Sequence, residues 1–364
     1  MPDKDWDMYQ YILESKPAVR DIAARQDAIF GAALDYCMHK TINEIYLLGS
    51  GTSYHASLAA RKLIADVLKV RVTVMYAMDF VENERLLTKD VLVIGTSHAG
   101  RSASTIKALD KAKAAGLACI GMTAEHGRPL EQHGDMTLYI EIGQEKAGPK
   151  TKGFIASIAT LQMLALNLAV RQGKLTGQQK HDYVSRLLAT TDNIPAIAET
   201  ASRWYAANRQ ELMKSRRIIV TGYGDGVSAM MEGTLKVMEA VRYSVTGYQM
   251  EEFMHGVYHG IDADTYLIYL GAKSANDDYQ RMLRMKRYFE QERHAHSFLI
   301  TSDASQQGDA HNLVFPFAND PYFMSMEYVV PLQVVARRLS ADLGIDCNIP
   351  SDPDFHRKMQ SYEY

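Results

Sequence analysis

The 364-residue sequence has few of the residues that form disulfide frameworks or metal sites. Its three cysteines, Cys37, Cys119 and Cys347, lie far apart and match no zinc-binding spacing, so we expect each to be a buried thiol. No H-E-x-x-H motif appears, and we predict no metal site. The sequence also lacks G-x-x-x-x-G-K-[ST], and it lacks G-x-G-x-x-G with an acidic residue about 20 positions further on. We therefore expect no nucleotide and no other cofactor.

Long apolar runs and a strong charge of one sign are also absent. No run approaches about 18 residues, which predicts no membrane span. The acidic N-terminus, MPDKDWDMYQYI, lacks the pattern of a signal peptide. The net charge of −3 argues against a nucleic-acid partner. A hydrophobic content of 47% is typical of a globular protein, and the length suggests two domains. We expect a cytoplasmic protein.

Short apolar strands alternate with helices in two parts of the chain. The first part contains five predicted strands: Glu44–Leu48, Arg71–Tyr76, Asp90–Gly95, Ala118–Thr123 and Met136–Ile142. After an apolar helix and a polar helical segment, at Lys152–Arg171 and Gln178–Glu211, the pattern returns in four strands: Arg217–Gly222, Thr265–Gly271, Ala295–Thr301 and Leu313–Phe317. Such strands imply parallel sheets covered on both faces. The sequence predicts a duplicated α/β sandwich, with an N-terminal helical arm that breaks before Pro17 and a C-terminal tail.

Two strand-end loops in the first part are rich in hydroxyl groups and glycine. GSGTS (49–53) and TSHAGRSAST (96–105) each lead into a predicted helix. A helix N-terminus offers unpaired N–H groups and a partial positive charge, so both loops fit an anion site with phosphate as the expected occupant. Simple helix capping is the alternative, although two such loops on neighbouring strands favour the anion site. A third segment, EKAGPKTKGF (145–154), is either a solvated basic turn or a substrate-binding loop.

The stretch from Glu232 to Asp262 carries the side chains best suited to proton transfer. A predicted helix, Ser228–Val245, and the turn-rich segment after it contain six of them: Lys236, Glu239, Glu251, Glu252, His255 and His259. Carboxylates and imidazoles are the usual general bases and acids near neutral pH. The apolar neighbours of Glu239 predict a carboxylate enclosed by apolar groups. A solvated helical glutamate and a structural loop histidine are the alternatives.

In combination, these motifs resemble the double SIS (sugar isomerase) family, which includes the isomerase half of glucosamine-6-phosphate synthase and the 6-phospho-fructosamine deglycases. The resemblance rests on GTSYHASLAARK, GTSHAGRSAST, EKAGPKTKGF and EGTLKVMEAVRY…EEFMHG, and it extends to ILESKPAV in the arm and HRKMQSYEY in the tail. It implies two tandem SIS domains, each a three-layer α/β/α sandwich with a parallel sheet. The implied division is an arm (1–40), SIS domain 1 (41–175), a helical connector (176–215), SIS domain 2 (216–345) and a tail that closes over the substrate (346–364).

The resemblance also assigns roles to individual residues. Glu239 matches the family's general base, and His255 matches the histidine that opens the sugar ring or acts as an acid. Together with the third segment, the predicted substrate- and phosphate-binding residues are Ser50, Thr52, Ser53, Ser97, His98, Ser102, Thr105, Lys150, Thr151, Lys236 and Lys358. The family further implies a phosphosugar ligand and a homodimer with shared active sites.

Departures from the synthase favour one branch of the family. The synthase has S-Q-S-G-E-T, whereas this chain has His98 and Arg101 at the positions of Gln and Glu. The Lys-Thr-Lys-Gly turn and the Glu-Tyr ending are closer to the deglycases, and no glutaminase domain is expected. We predict a 6-phospho-fructosamine or glucosamine-type deglycase that releases glucose 6-phosphate and an amine. The alternatives are a glucosamine-6-phosphate deaminase, an aldose–ketose phosphosugar isomerase and a non-catalytic phosphosugar sensor.

Overall fold

A computed structural model describes residues 6–85, 87–272 and 277–364. In these residues the strands are β1 (Glu44–Gly49), β2 (Arg71–Tyr76), β3 (Val91–Thr96), β4 (Ala118–Thr123), β5 (Met136–Tyr139), β6 (Arg217–Gly222), β7 (Ser244–Gln249), β8 (Tyr266–Gly271), β9 (His296–Thr301) and β10 (Asn312–Val314). The α-helices are α1 (Met8–Ala24), α2 (Gln26–Met38), α3 (Thr52–Leu68), α4 (Ala77–Asn83), α5 (Ala103–Ala114), α6 (Lys152–Arg171), α7 (Gly177–Asp192), α8 (Ile194–Leu212), α9 (Val227–Val241), α10 (Met250–Met254), α11 (Asp278–Glu292), α12 (Met324–Asp342) and α13 (Phe355–Lys358).

The described residues fall into two compact units, each built on one five-stranded parallel sheet. The first unit comprises residues 14–146, 152–188 and 350–364, and its strand order is β2-β1-β3-β4-β5. The second comprises residues 6–13, 147–151 and 189–349 apart from 273–276, and its strand order is β10-β9-β8-β6-β7. The two orders correspond strand for strand, which confirms the predicted duplicated α/β fold. The finer five-part division stays a prediction.

The strand order of the first sheet brings the two hydroxyl-rich loops together. β1 pairs with β2 on one side and with β3 on the other, with Leu48 opposite Gly95. Chain connections leave in opposite directions at such a switch point, and a crevice forms outside the carboxyl ends of the strands. The loops that follow β1 and β3 therefore begin side by side at the same edge.

Helix α6 contradicts the expectation that no segment is long and apolar enough to span a membrane. By length and composition alone α6 passes that test, but 89% of its most apolar 18-residue window is buried inside the fold. It packs against α2 and α3. A helix that is apolar on all faces and enclosed by protein is a core helix.

The predicted helix break at Pro17 is wrong. Helix α1 continues through Pro17, and the break comes at Arg25, whose φ of −103° and ψ of 28° separate α1 from α2. The residue before a proline disfavours the α conformation but is not excluded from it. Ile12, Val19 and Ile22 are buried on both sides of the proline. Their burial stabilises the continuous helix.

Strand β7 was not predicted. The helix expected over Ser228–Val245 ends at Val241, where Arg242 adopts the left-handed conformation, and β7 then pairs with β6 in parallel. β7 is an edge strand, and most of its residues are only partly buried. An edge strand needs no continuous apolar run, so its sequence, SVTGYQ, lacks the pattern that identified the central strands.

Candidate functional site

The first of the two loops turns sharply from β1 into α3. Gly51 precedes α3 with a φ of 55°, a backbone conformation that favours glycine. Ser50 is exposed, Thr52 is partly buried and Ser53 is buried in the first turn of the helix. No side chain caps this N-terminus through the N-cap position, since that residue is Gly51. The exposed Ser50 hydroxyl and the start of α3 thus lie at the carboxyl edge of the sheet.

The second loop is organised by its own hydroxyl groups. Ser97 Oγ accepts hydrogen bonds from the backbone N–H groups of Arg101 and Ser102, each at 3.2 Å. Ser102 is the N-cap of α5, and its Oγ accepts from the N–H of Thr105 at 3.5 Å and from the Thr105 hydroxyl at 3.2 Å. Ser102 therefore caps helix α5, as the alternative interpretation of this loop predicted. The loop as a whole is a compact turn that gathers three hydroxyl groups at a helix N-terminus.

His98 of this loop packs against the start of α6. A Cβ on Gly153 would lie 2.4 Å from His98 Cε1 and 2.8 Å from its Nδ1, which is closer than side chains approach. The buried carboxylate of Glu145 accepts the N–H groups of Lys152 at 3.2 Å and Gly153 at 2.9 Å, so it caps α6. A side chain at position 153 would therefore have to displace the His98 ring from its place beside the start of α6.

We expect Gly153→Ala to weaken phosphosugar binding roughly 10-fold or more, since the new methyl group must displace the His98 ring. The measurement is the Kd for glucose 6-phosphate by titration calorimetry. Gly177→Ala is the matched control, because a Cβ there meets no atom within 4 Å. Equal affinity in both variants would show that the position of the His98 ring does not matter for binding.

The C-terminal tail pairs with the second loop. Ser102 and Tyr362 form an antiparallel bridge. The N–H of Ala103 donates to the Ser361 carbonyl at 3.1 Å, and the N–H of Glu363 donates to the Arg101 carbonyl at 2.8 Å. The last residues of the tail thus lie against this loop, and its closure over a substrate stays a prediction. Lys358 is exposed, and its Nζ donates to Asp352 within the tail at 2.8 Å.

In the second unit, α9 carries three charged side chains in one row. The ammonium of Lys236 lies 2.7 Å from Glu239 Oε2 and 3.4 Å from Glu232 Oε1. These pairs have i,i+3 and i,i+4 spacing, so all three side chains share one helix face. The side chains of Lys236 and Glu232 are 1% and 0% exposed. A buried ammonium thus sits between a buried carboxylate and an accessible one.

The expectation that apolar groups enclose Glu239 is wrong. Its side chain is 38% exposed, and its neighbour Met238 is also exposed. Val237, Ala240 and Val241 are buried. The α-helical period explains the difference, because these three residues turn inward while 238 and 239 lie on the opposite side. Glu239 is held by its ion pair with Lys236 and remains accessible from solvent.

The other predicted residues of the second unit are more dispersed. His255 is exposed directly after α10, and its N–H donates to the Glu252 carbonyl. Lys150 donates to the Ala147 carbonyl at 2.9 Å, within its own loop, and Thr151 is fully buried. Their roles stay predictions. Within the part of the chain that the structure describes, no three His, Cys, Asp or Glu side chains are grouped closely enough to hold a metal ion.

Residues 40–167 match the family described as the SIS domain. This stretch contains all five strands of the first sheet and both hydroxyl-rich loops. Residues 40–167 are a SIS domain. The resemblance stated from the sequence is therefore confirmed, and the second unit repeats the strand order of this domain outside the matched residues.

Sequence relatives extend beyond the SIS domain. The glutamine–fructose-6-phosphate aminotransferase (isomerizing) of Bacillus subtilis strain 168 is 29% identical over 308 residues, which cover 85% of this chain and 50% of that protein. The chain thus spans about half the length of the curated relatives it matches.

Solved structures match nearly the whole chain. A Clostridium difficile protein with the provisional name phosphosugar isomerase has a TM-score of 0.90 and 26% identity, covering 98% of this chain and 99% of its own. The C-terminal domain of the glucosamine-fructose-6-phosphate aminotransferase from Francisella tularensis has a TM-score of 0.81. Its identity of 20%, over 95% of this chain and 99% of that one, shows the fold alone.

Proposed function

We propose that this protein is a phosphosugar enzyme that acts at C1 and C2 of an amino-substituted hexose 6-phosphate, as a 6-phospho-fructosamine or glucosamine-type deglycase. The observation that carries the proposal is the row on α9, in which buried Lys236 holds the accessible carboxylate of Glu239. A fixed, solvent-accessible carboxylate is suited to take a proton from carbon. The relative from Bacillus subtilis is named for fructose 6-phosphate and for isomerization, which supports the substrate class.

Phosphate binding is assigned to the first unit. The loops after β1 and β3 place Ser50, Thr52 and Ser102 at the starts of α3 and α5, whereas Ser97 and Thr105 are buried in the second loop and in α5. Helix N-termini attract anions through their N–H groups and partial positive charge. Binding the phosphate would restrict the orientations that the reacting sugar carbons can adopt.

The proposed reaction moves one proton between neighbouring carbons. In a fructosamine 6-phosphate the amine is on C1 and the carbonyl is on C2. Glu239 removes a proton from C1 to give an enaminol, and protonation at C2 then gives an imine at C1. Water adds to this imine, the C–N bond breaks, and glucose 6-phosphate and the free amine are released. No electrons are exchanged with a cofactor in these steps.

His255 is proposed to open the sugar ring in a homodimer. Its exposed position after α10 leaves the imidazole accessible to a substrate held by a second copy of the chain. An imidazole can take the proton of the anomeric hydroxyl and return one to the ring oxygen near neutral pH.

A coupled glucose-6-phosphate assay tests the proposed function. We expect purified protein to release glucose 6-phosphate from at least one of fructoselysine, glucoselysine or fructose-asparagine 6-phosphate. Fructose 6-phosphate and ammonia from glucosamine 6-phosphate would instead identify a deaminase. Tight phosphosugar binding in calorimetry, without turnover of any of the four compounds, would contradict the enzyme proposal and favour a sensor.

A further inference from the structure

Two arginines lie at the second loop of the first unit, in different electrostatic settings: Arg101 within the loop and Arg128 against it. Arg128 contacts Gly100 of the loop, since a Cβ on that glycine would lie 2.5 Å from Arg128 Cβ, and its guanidinium forms an ion pair with Glu125. Arg101, the next residue along the loop, forms no ion pair with any residue in the described ranges. One arginine is therefore neutralised at this edge of the sheet and the other is not.

The backbone of Arg101 is fixed from both sides. Its N–H donates to Ser97 Oγ at 3.2 Å, and its carbonyl accepts the N–H of Glu363 at 2.8 Å. The side chain is fixed as well, because the guanidinium lies over the ring of Tyr364 at 5.3 Å from the ring centre. A ring face stabilises a cation without neutralising it. The contact therefore restrains the guanidinium while its charge stays available.

From this geometry we infer that Arg101 is a binding residue for an anionic oxygen pair on the substrate, and that the tail holds it in place for that purpose. A planar guanidinium donates two parallel hydrogen bonds to a carboxylate or a phosphate. Because Ser97 Oγ and the Glu363 N–H hold the Arg101 backbone and the Tyr364 ring restrains its guanidinium, little conformational entropy is left to lose on binding. The inference rests on the proposed function, since it places a phosphosugar at this loop.

Two groups of the proposed substrate class have the required chemistry. One is the 6-phosphate, which the partial positive charge at the N-terminus of α5 also attracts. The other is the carboxylate of an amino acid attached to the sugar.

Calorimetric binding to four ligands distinguishes the two groups. The ligands are inorganic phosphate, glucose 6-phosphate, fructoselysine 6-phosphate and the decarboxylated analogue that carries cadaverine in place of lysine. All titrations use the Glu239→Gln background to prevent turnover. Arg101→Gln should raise Kd roughly 10- to 100-fold for every ligand that makes the contact. Arg101→Lys keeps the charge but not the planar pair of donors. Its Kd should therefore lie between that of the parent protein and that of Arg101→Gln.

Lys107→Gln is the matched control, because Lys107 is an exposed cation on α5, six residues further along, that forms no ion pair with the residues the structure describes. A loss with all four ligands in Arg101→Gln, but not in Lys107→Gln, assigns the contact to phosphate. A loss confined to fructoselysine 6-phosphate assigns it to the carboxylate. Unchanged affinities, or equal losses in the two variants, overturn the inference but leave the proposed function intact. If the parent protein binds none of the ligands, the proposed function fails first.

Discussion

Glu239→Gln should lower kcat for the active substrate by about 10²- to 10⁴-fold and leave KM within about 3-fold. Glutamine has the same shape as glutamate and can still accept a hydrogen bond from Lys236, whose Nζ lies 2.7 Å from Glu239 Oε2. It cannot take a proton from carbon. Steady-state kinetics measure the loss of turnover. Exchange of the C1 or C2 hydrogen of the product in deuterated water, followed by NMR, measures proton transfer directly.

Glu199→Gln is the control for this substitution. Glu199 is also an exposed helical glutamate of the second unit with a cation one turn away, Arg203. We expect Glu199→Gln to keep full activity and Glu239→Gln to lose hydrogen exchange together with turnover. If turnover fell while exchange persisted, the base would be another residue and Glu239 would act at a later step. Full activity in Glu239→Gln would remove the proposed mechanism altogether.

The sheets were predictable because central strands leave a clear signal. β3, β4 and β8 are buried along their whole length, and runs such as VLVIG and YLIYLG are apolar at every position for that reason. β7 lies at an edge, and its half-exposed residues carry no such signal. Pro17 shows the opposite error: a strong local preference gave way to the burial of Ile12 and Val19 on either side. Local sequence patterns thus predicted the strands that are buried along their whole length, and they missed the partly exposed edge strand.

The residue types of the candidate site were predictable from the sequence. The burial and the tertiary contacts that hold these residues in place were not. The spacing of Lys236 and Glu239 put both on one helix face, but which of the two is buried depends on how α9 packs against α12. Glu232 lies in the same stretch, four residues before Lys236. That i,i+4 spacing could have predicted the ion pair between them. The contact between Arg101 and the tail joins residues more than 250 positions apart in sequence, and no local pattern reports it.

The second large effect is expected for Lys236→Met, which should lower the free energy of unfolding by about 3–5 kcal/mol. The Lys236 ammonium lies 3.4 Å from the Glu232 carboxylate, and both side chains are almost completely buried. Methionine fills similar volume but removes the Lys236 ammonium from this buried ion pair. Urea denaturation followed by circular dichroism measures the change. A loss below about 1 kcal/mol, within the range of exposed ion pairs, would contradict the proposed burial of this pair.

A second substitution separates the effect on stability from the effect on catalysis. Glu232→Gln in the Lys236→Met background removes the buried negative charge and should recover at least half of the lost stability, because a neutral amide costs less to bury. Activity should not recover with it, because Glu239 has still lost the ammonium that fixes its carboxylate. A double variant that is stable and inactive therefore identifies Lys236 as a positioning residue for the base. A double variant that is stable and active would limit the row on α9 to a structural role.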